Sequence, residues 1–186
     1  MTKREIEHFY PETKQHWREW LEKNHVHQDA VWLIHYKKNA GKPSVAWTDA
    51  VDEALCFGWI DSKAVSVDEH SYKQYYCKRK PKSTWSQVNK DKVESLLANK
   101  KMTQAGIKCI EIAKQNGSWI ILDSIDALEI PEELELAFTK NDGTKQKFQA
   151  LSKSKQKFML YGIMSAKTSI TKEKRINEIL EMVSIK

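Results

Sequence analysis

Glycine is scarce in this chain, with six in 186 residues, and proline scarcer, with four. No Gly-x-x-x-x-Gly-Lys-Ser/Thr loop and no Gly-x-Gly-x-x-Gly turn occurs, so a backbone cradle for nucleotide phosphates has no sequence basis. His-Glu-x-x-His and Gly-x-Ser-x-Gly are also missing. His25 and His27 have no third ligand nearby in the sequence, so the residues imply neither a cofactor nor a metal site. The three cysteines, Cys56, Cys77 and Cys109, form no Cys-x-x-Cys pair, which suits free thiols in a reducing compartment. No stretch approaches the ~20 apolar residues of a membrane span, so no membrane insertion is expected. The opening "MTKREIEHFYPETKQHW" carries charge where a signal peptide has an apolar run, and a cytoplasmic location is the expectation.

What is present is an ordinary globular composition, 40% hydrophobic and 30% charged, with a net charge of +6. The charge is unevenly placed. Residues 61–120 carry 12 Lys/Arg against 6 Asp/Glu, and a second basic run spans Lys140 to Arg175 behind an acidic one from Asp123 to Glu135. These are either solvated helix faces or a patch for an anionic partner.

Periodicity places the elements. "EIEHFY" reads as a short strand, with Pro11 in the first turn of a helix whose stripe is Trp17, Trp20 and Leu21. "AVWLIHYKK" (30–38) is apolar with little alternation, which predicts a central strand covered on both faces. His35 on it reads as a core histidine. Trp47, Ala50, Val51, Ala54 and Leu55 follow the helical repeat, and Gly58 stands where a left-handed cap would end that helix. "WIDSKAVSVD" and "SYKQYYCKRK" predict an antiparallel hairpin stopped at Pro81. Two helices follow, one with Val93, Leu96 and Leu97 inside, the other capped by Thr103 and closed by Asn116-Gly117. "ILDSIDALEIP" reads as a bridge, and the remainder as helices, with Phe158, Tyr161 and Gly162 on one face and Ile176, Ile179, Leu180 and Val183 on another. The expected class is α+β: a small antiparallel or mixed sheet packed with helices over 1–120, then a helical C-terminal subdomain over 121–186 packed on it.

The densest chemistry lies in "FGWIDSKAVSVDEHSYKQYYCKRKPKSTWSQVN" (57–89). Trp59 and Asp61 share one strand face, and a partly buried carboxylate at 61 needs a partner such as Arg79. A planar guanidinium also suits a ligand carboxylate or phosphate. Ser83, Thr84 and Ser86 either cap a helix or leave its N–H groups to an anion. Trp85 either packs or stacks on a planar ligand, and Asn89 either caps or orients it.

"ALCFGWIDSK", "YCKRKPKSTWSQVN", "KKMTQAGIKCIEIAKQNGSW" and "SAKTSITKEKRINEIL" together closely resemble the YdeI/OmpD-associated family, described as bacteriocin-protection proteins. The motif residues that the resemblance carries onto this chain are Trp59, Ile60, Asp61, Arg79, Pro81, Ser83, Trp85, Ser86 and Asn89. Ala166, Lys167, Thr171, Arg175 and Ile176 follow near the C-terminus. Lys78-Arg79 stands where the family usually has Pro-Arg, and Thr171-Lys172 where it has Thr-Arg. The name implies porin association and bacteriocin protection, a phenotype and a partner with no reaction, cofactor or catalytic residue attached.

The leading expectation is a non-enzymatic binding protein of stress or antimicrobial-peptide resistance. Its groove for an anion or small ligand would be built from Trp59, Asp61, Arg79, Ser83, Trp85 and Asn89, with Lys167 and Arg175 as a wall. The partner would be a small anionic ligand or a protein. Two alternatives stay open: nucleic-acid binding through the same basic and aromatic surface, and an enzyme acting on a small anion with Asp61 as base and Arg79 as clamp.

Overall fold

Thr13 opens the first helix: its hydroxyl accepts the His16 N–H at 3.2 Å, and α1 runs Lys14–Asn24. Pro11 therefore lies ahead of the helix and not in its first turn. A computed structural model describes residues 5–184. They fall into two compact units, Met1–Ser118 and Trp119–Lys186.

In the first unit, β1 (His8–Phe9), β2 (Ala30–Tyr36), β3 (Trp59–Ser66) and β4 (Ser71–Lys78) form one sheet in the order β1-β2-β4-β3. β1 runs parallel to β2 and the other pairs are antiparallel, so the class is α+β with a mixed sheet. β2 is interior, as its apolar run suggests, but it is not covered evenly. Val31, Leu33 and His35 are buried while Trp32, Ile34 and Tyr36 are half-buried. Apolar and aromatic residues on both of its faces hid an ordinary two-faced strand.

Helices α1 and α2 (Trp47–Cys56) supply the core against the inward face. Trp17 donates its indole N–H to Ala50 O at 3.0 Å, stacks on Trp20 and meets Tyr76 edge-on. Trp47, expected inside, is exposed, and Glu53 of α2 is buried instead, held by Arg18 at 2.7 Å. α3 (Gln87–Ala98) buries Val93 and Leu96 but leaves Leu97 exposed, Lys90 taking the inner position. α4 (Gln104–Gln115) closes the unit, and Gly117 takes a left-handed φ of 79° after it.

The second unit is helical. The segment read as a bridge contains α5 (Ile121–Asp126), followed by α6 (Glu132–Thr139), α7 (Thr144–Gln149), α8 (Lys153–Met164) and α9 (Ser169–Ser184). Leu134, Phe138, Phe148, Leu160, Ile163 and Ile176 form its centre. On α8 the inward residues are Met159, Leu160 and Ile163, so the stripe expected from Phe158 and Tyr161 faces outward, with Phe158 80% exposed. No helix among the described residues is long and apolar enough to cross a membrane.

Candidate functional site

The site begins with a glycine inside a helix. A Cβ on Gly106 would stand 2.4 Å from Cys56 O, so α4 passes directly against the end of α2. The same carbonyl accepts the Thr103 N–H at 3.1 Å and the Thr103 hydroxyl at 2.7 Å. Thr103 thus ties two helices together and does not cap its own with its side chain. Gly58, at φ 73°, turns the chain from α2 into β3 beneath Ala105 and Cys109.

This crossing leaves a cleft of about 440 Å³. Phe57, Trp59, Pro81 and Ile112 form apolar walls, and Lys78, Arg79 and Lys108 bring cations. His25 and Cys109 complete the rim, and no lining residue is acidic.

Arg79 is the central group. It follows β4, where its N–H bonds Gly58 O at 2.9 Å, and it is only 9% exposed. Its guanidinium carbon lies over Trp85, 3.6 Å from the ring centre, and Nη1 donates to Thr84 O at 3.0 Å. No carboxylate pairs with it among the described residues, and its buried Nε has no hydrogen-bond partner among them. Burial pulls its pKa down to about 10, offset in part by Cys109, Asp61 and Cys77. The cation persists at neutral pH. Trp59, fully buried, also leaves its indole N–H without a partner among the described residues. Two buried donors with nothing to donate to therefore belong to side chains lining one cationic cleft. Burial raises the Cys109 pKa, with Arg79 pulling the other way, and the thiol stays protonated at neutral pH.

The other expected residues are placed differently. Asp61 accepts from Trp47 Nε1 and Gln74 Nε2, both at 3.0 Å, so the Asp61–Arg79 pair inferred from sequence does not form. Asp61 does not line the cleft. Trp85 is buried beneath Arg79 and serves as its platform. Ser86 is the cap of α3, accepting the Asn89 N–H at 3.4 Å, so Asn89 is the capped residue and not a cap. Ser83 closes a turn through its N–H to Lys80 O. Lys167 and Arg175 belong to the second unit. Lys167 is exposed, while Arg175 donates to Gly162 O and to Ser165 Oγ. Arg175 also borders a cleft of about 410 Å³ within that unit, beside Phe158, Tyr161 and Met182.

Lys108 and Ile112 were not singled out from the sequence, and His25 and Cys109 were read only as a metal-ligand candidate and a free thiol. The readable signal was Gly106, since a glycine in a helix interior often marks close backbone approach. His35 is buried, bonded through Nδ1 to Val45 O at 3.1 Å and stacked on Tyr72, as a core histidine should be. No group of three His, Cys, Asp or Glu side chains suited to a metal occurs among the described residues.

Comparison with family models gives two matches. The family described as Domain of unknown function (DUF8412) matches residues 9–109, and the one described as Bacteriocin-protection, YdeI or OmpD-Associated matches residues 127–184. The first match contains the whole rim of the cleft except Ile112. Searches of curated proteins and of solved structures find no match.

Proposed function

The chain belongs to the DUF8412 family and carries a YdeI/OmpD-associated segment at 127–184, and from that premise we propose that its first unit is a non-enzymatic binding module for a small anion. The ligand carries a carboxylate or phosphate, held in the cleft by Arg79 and Lys108. The observation that supports this is that Arg79 and Trp59, whose Nε and Nε1 donors have no hydrogen-bond partner among the described residues, both line a cleft without an acid. A buried donor left unpaired costs about 1–3 kcal/mol, and an anion that reached one of them would remove that cost. Guanidinium suits the role because its fixed fork matches planar oxyanions. The YdeI/OmpD-associated segment links such binding to stress or bacteriocin resistance in the proposal, with the anion acting as signal or cargo.

The test is a thermal-shift and calorimetric titration with phosphate, acetate and benzoate. A ligand at about 100 times its Kd stabilises the folded protein by about 2.7 kcal/mol, which is easily read as a rise in Tm. Arg79→Met should abolish the rise, and Lys108→Met should weaken it. A flat response to every anion, or one that survives Arg79→Met, refutes the proposal.

A further inference from the structure

The outward face of the first unit's sheet is the second feature that its packing leaves unexplained. Helices α1 and α2 cover the face that carries Val31, Leu33 and Tyr76. On the opposite face, Trp32 and Tyr75 stand directly across from each other on β2 and β4, ring centres 5.1 Å apart and 72° inclined. An irregularity in β3 between Asp61 and Ala64 turns Lys63 onto this face, its Nζ 5.3 Å from the Trp32 ring and 5.9 Å from Tyr75. Lys73 lies 4.8 Å from the same tryptophan, and His8 meets it edge-on at 6.5 Å. A second cluster continues the pattern: Tyr36 carries Lys42 at 4.6 Å and packs against Tyr10, with Glu12 beside it at the margin. None of the outward positions in register along β1, β2, β4 and β3 is acidic. No carboxylate pairs with Lys42, Lys63 or Lys73 among the described residues.

We infer that this face is a docking surface for single-stranded nucleic acid. Aromatic planes on an open sheet accept bases of any sequence by stacking, while ammonium groups around them follow the phosphates. Lysine is suited to both states. Its flexible stem lays the charge over the ring when no base is present and swings it to a phosphate when one is. Charge complementarity selects the occupant: a face with cations and an acid only at its margin favours a polyanion, and the ring planes favour one whose bases are unpaired. An acidic peptide would use the lysines but leave the rings idle. The surface is separate from the Arg79 cleft, so the two proposals stand or fall independently.

The experiment is fluorescence anisotropy of labelled oligo(U) and oligo(dT) about ten nucleotides long, titrated with the full chain. Three lysine–phosphate contacts predict a slope of about −2 in log affinity against log salt, or about a 20-fold loss from about 50 to about 200 mM. Lys63→Glu with Lys73→Glu should weaken binding at least ten-fold at unchanged Tm. Trp32→Leu should do the same while leaving the salt slope in place. The inference is overturned by no binding at low salt, or by equal affinity in the double lysine variant. It is also overturned if a duplex of the same length binds as tightly, or if polyglutamate displaces the oligonucleotide at equal charge.

Discussion

Replacing Arg79 by methionine separates a ligand-binding arginine from a structural one. The guanidinium is nine-tenths buried without a counterion, and its pKa of about 10 reflects that burial. At about 1.4 kcal/mol per pH unit below the ordinary guanidinium value, the cost of keeping it charged is on the order of 3 kcal/mol. Methionine removes that cost and keeps most of the volume. It also removes the bond to Thr84 O, worth about 1.5 kcal/mol for a charged donor, and the stack on Trp85, worth about 1–2 kcal/mol when desolvated. The opposing effects nearly cancel.

Arg79→Met should therefore leave stability within about 1 kcal/mol of the parent, a change of a few degrees in Tm. Urea unfolding followed by far-UV circular dichroism measures this directly, run without added anion and again with phosphate. The parent should gain stability from the anion and the variant should not. A loss above about 3 kcal/mol without anion would refute the reasoning. That is the penalty for breaking a paired buried charge, and it would mean that Arg79 holds the fold.

Gly106→Ala sets a Cβ 2.4 Å from Cys56 O, and neither backbone can yield without parting α2 from α4. It should destabilise by about 2–3 kcal/mol in urea, despite alanine's better helix propensity, and it should open the cleft to anion loss. Burial lowers the His35 pKa, so the unfolded chain takes up a proton first as pH falls below about 6.5. Stability should drop on the order of 1 kcal/mol from pH 7 to pH 5, and His35→Phe should flatten that slope in Tm measured across the range. Phe158→Ser, on an 80% exposed position, should change Tm by no more than a degree or two, whereas Leu160→Ala two residues on should cost about 2–5 kcal/mol. Similar losses from both would place Phe158 inside a core.

Local chemistry made much of the fold legible. The repeat through Trp47, Ala50, Val51, Ala54 and Leu55, ended by Gly58, is a local pattern, and α2 buries all of it but Trp47. The hairpin of β3 and β4 was equally plain from two strand-like segments, although β4 ends at Lys78, ahead of the stop expected at Pro81. Misreadings fell where apolar residues face outward. Trp32, Ile34 and Tyr36 made β2 look doubly covered, and Phe158 with Tyr161 drew the stripe of α8 onto its exposed side. Hydrophobicity reports what a residue prefers, whereas burial depends on which neighbours the chain provides. The site was half legible for a similar reason. Trp59 and Arg79 stood out within one segment, but the wall carrying Lys108 and Cys109 comes from α4, some thirty residues beyond.

The arrangement at Arg79 also bears on why its cost is kept. Asp61 is two residues from Trp59 on the same strand, and its carboxylate is an acidic group whose charge acts on Arg79, yet the two do not pair. Instead Trp47 and Gln74 hold that carboxylate with two hydrogen bonds, and Trp85 with Thr84 O fixes the guanidinium from the other side. A fold needing only stability gains nothing from supporting the two charges separately, because pairing would satisfy both at once. Holding them apart leaves Arg79 with a free donor beside a cleft that Gly58 and Gly106 keep narrow. Preorganisation of this kind lowers the ordering cost when an anion arrives, since the cation is already stacked and stripped of water. Freeing Asp61 by Gln74→Leu with Trp47→Phe should then let it approach Arg79 and compete with the anion. Anion affinity should fall about ten-fold with no loss at the cleft itself, and unchanged affinity would show that the separation has no bearing on binding.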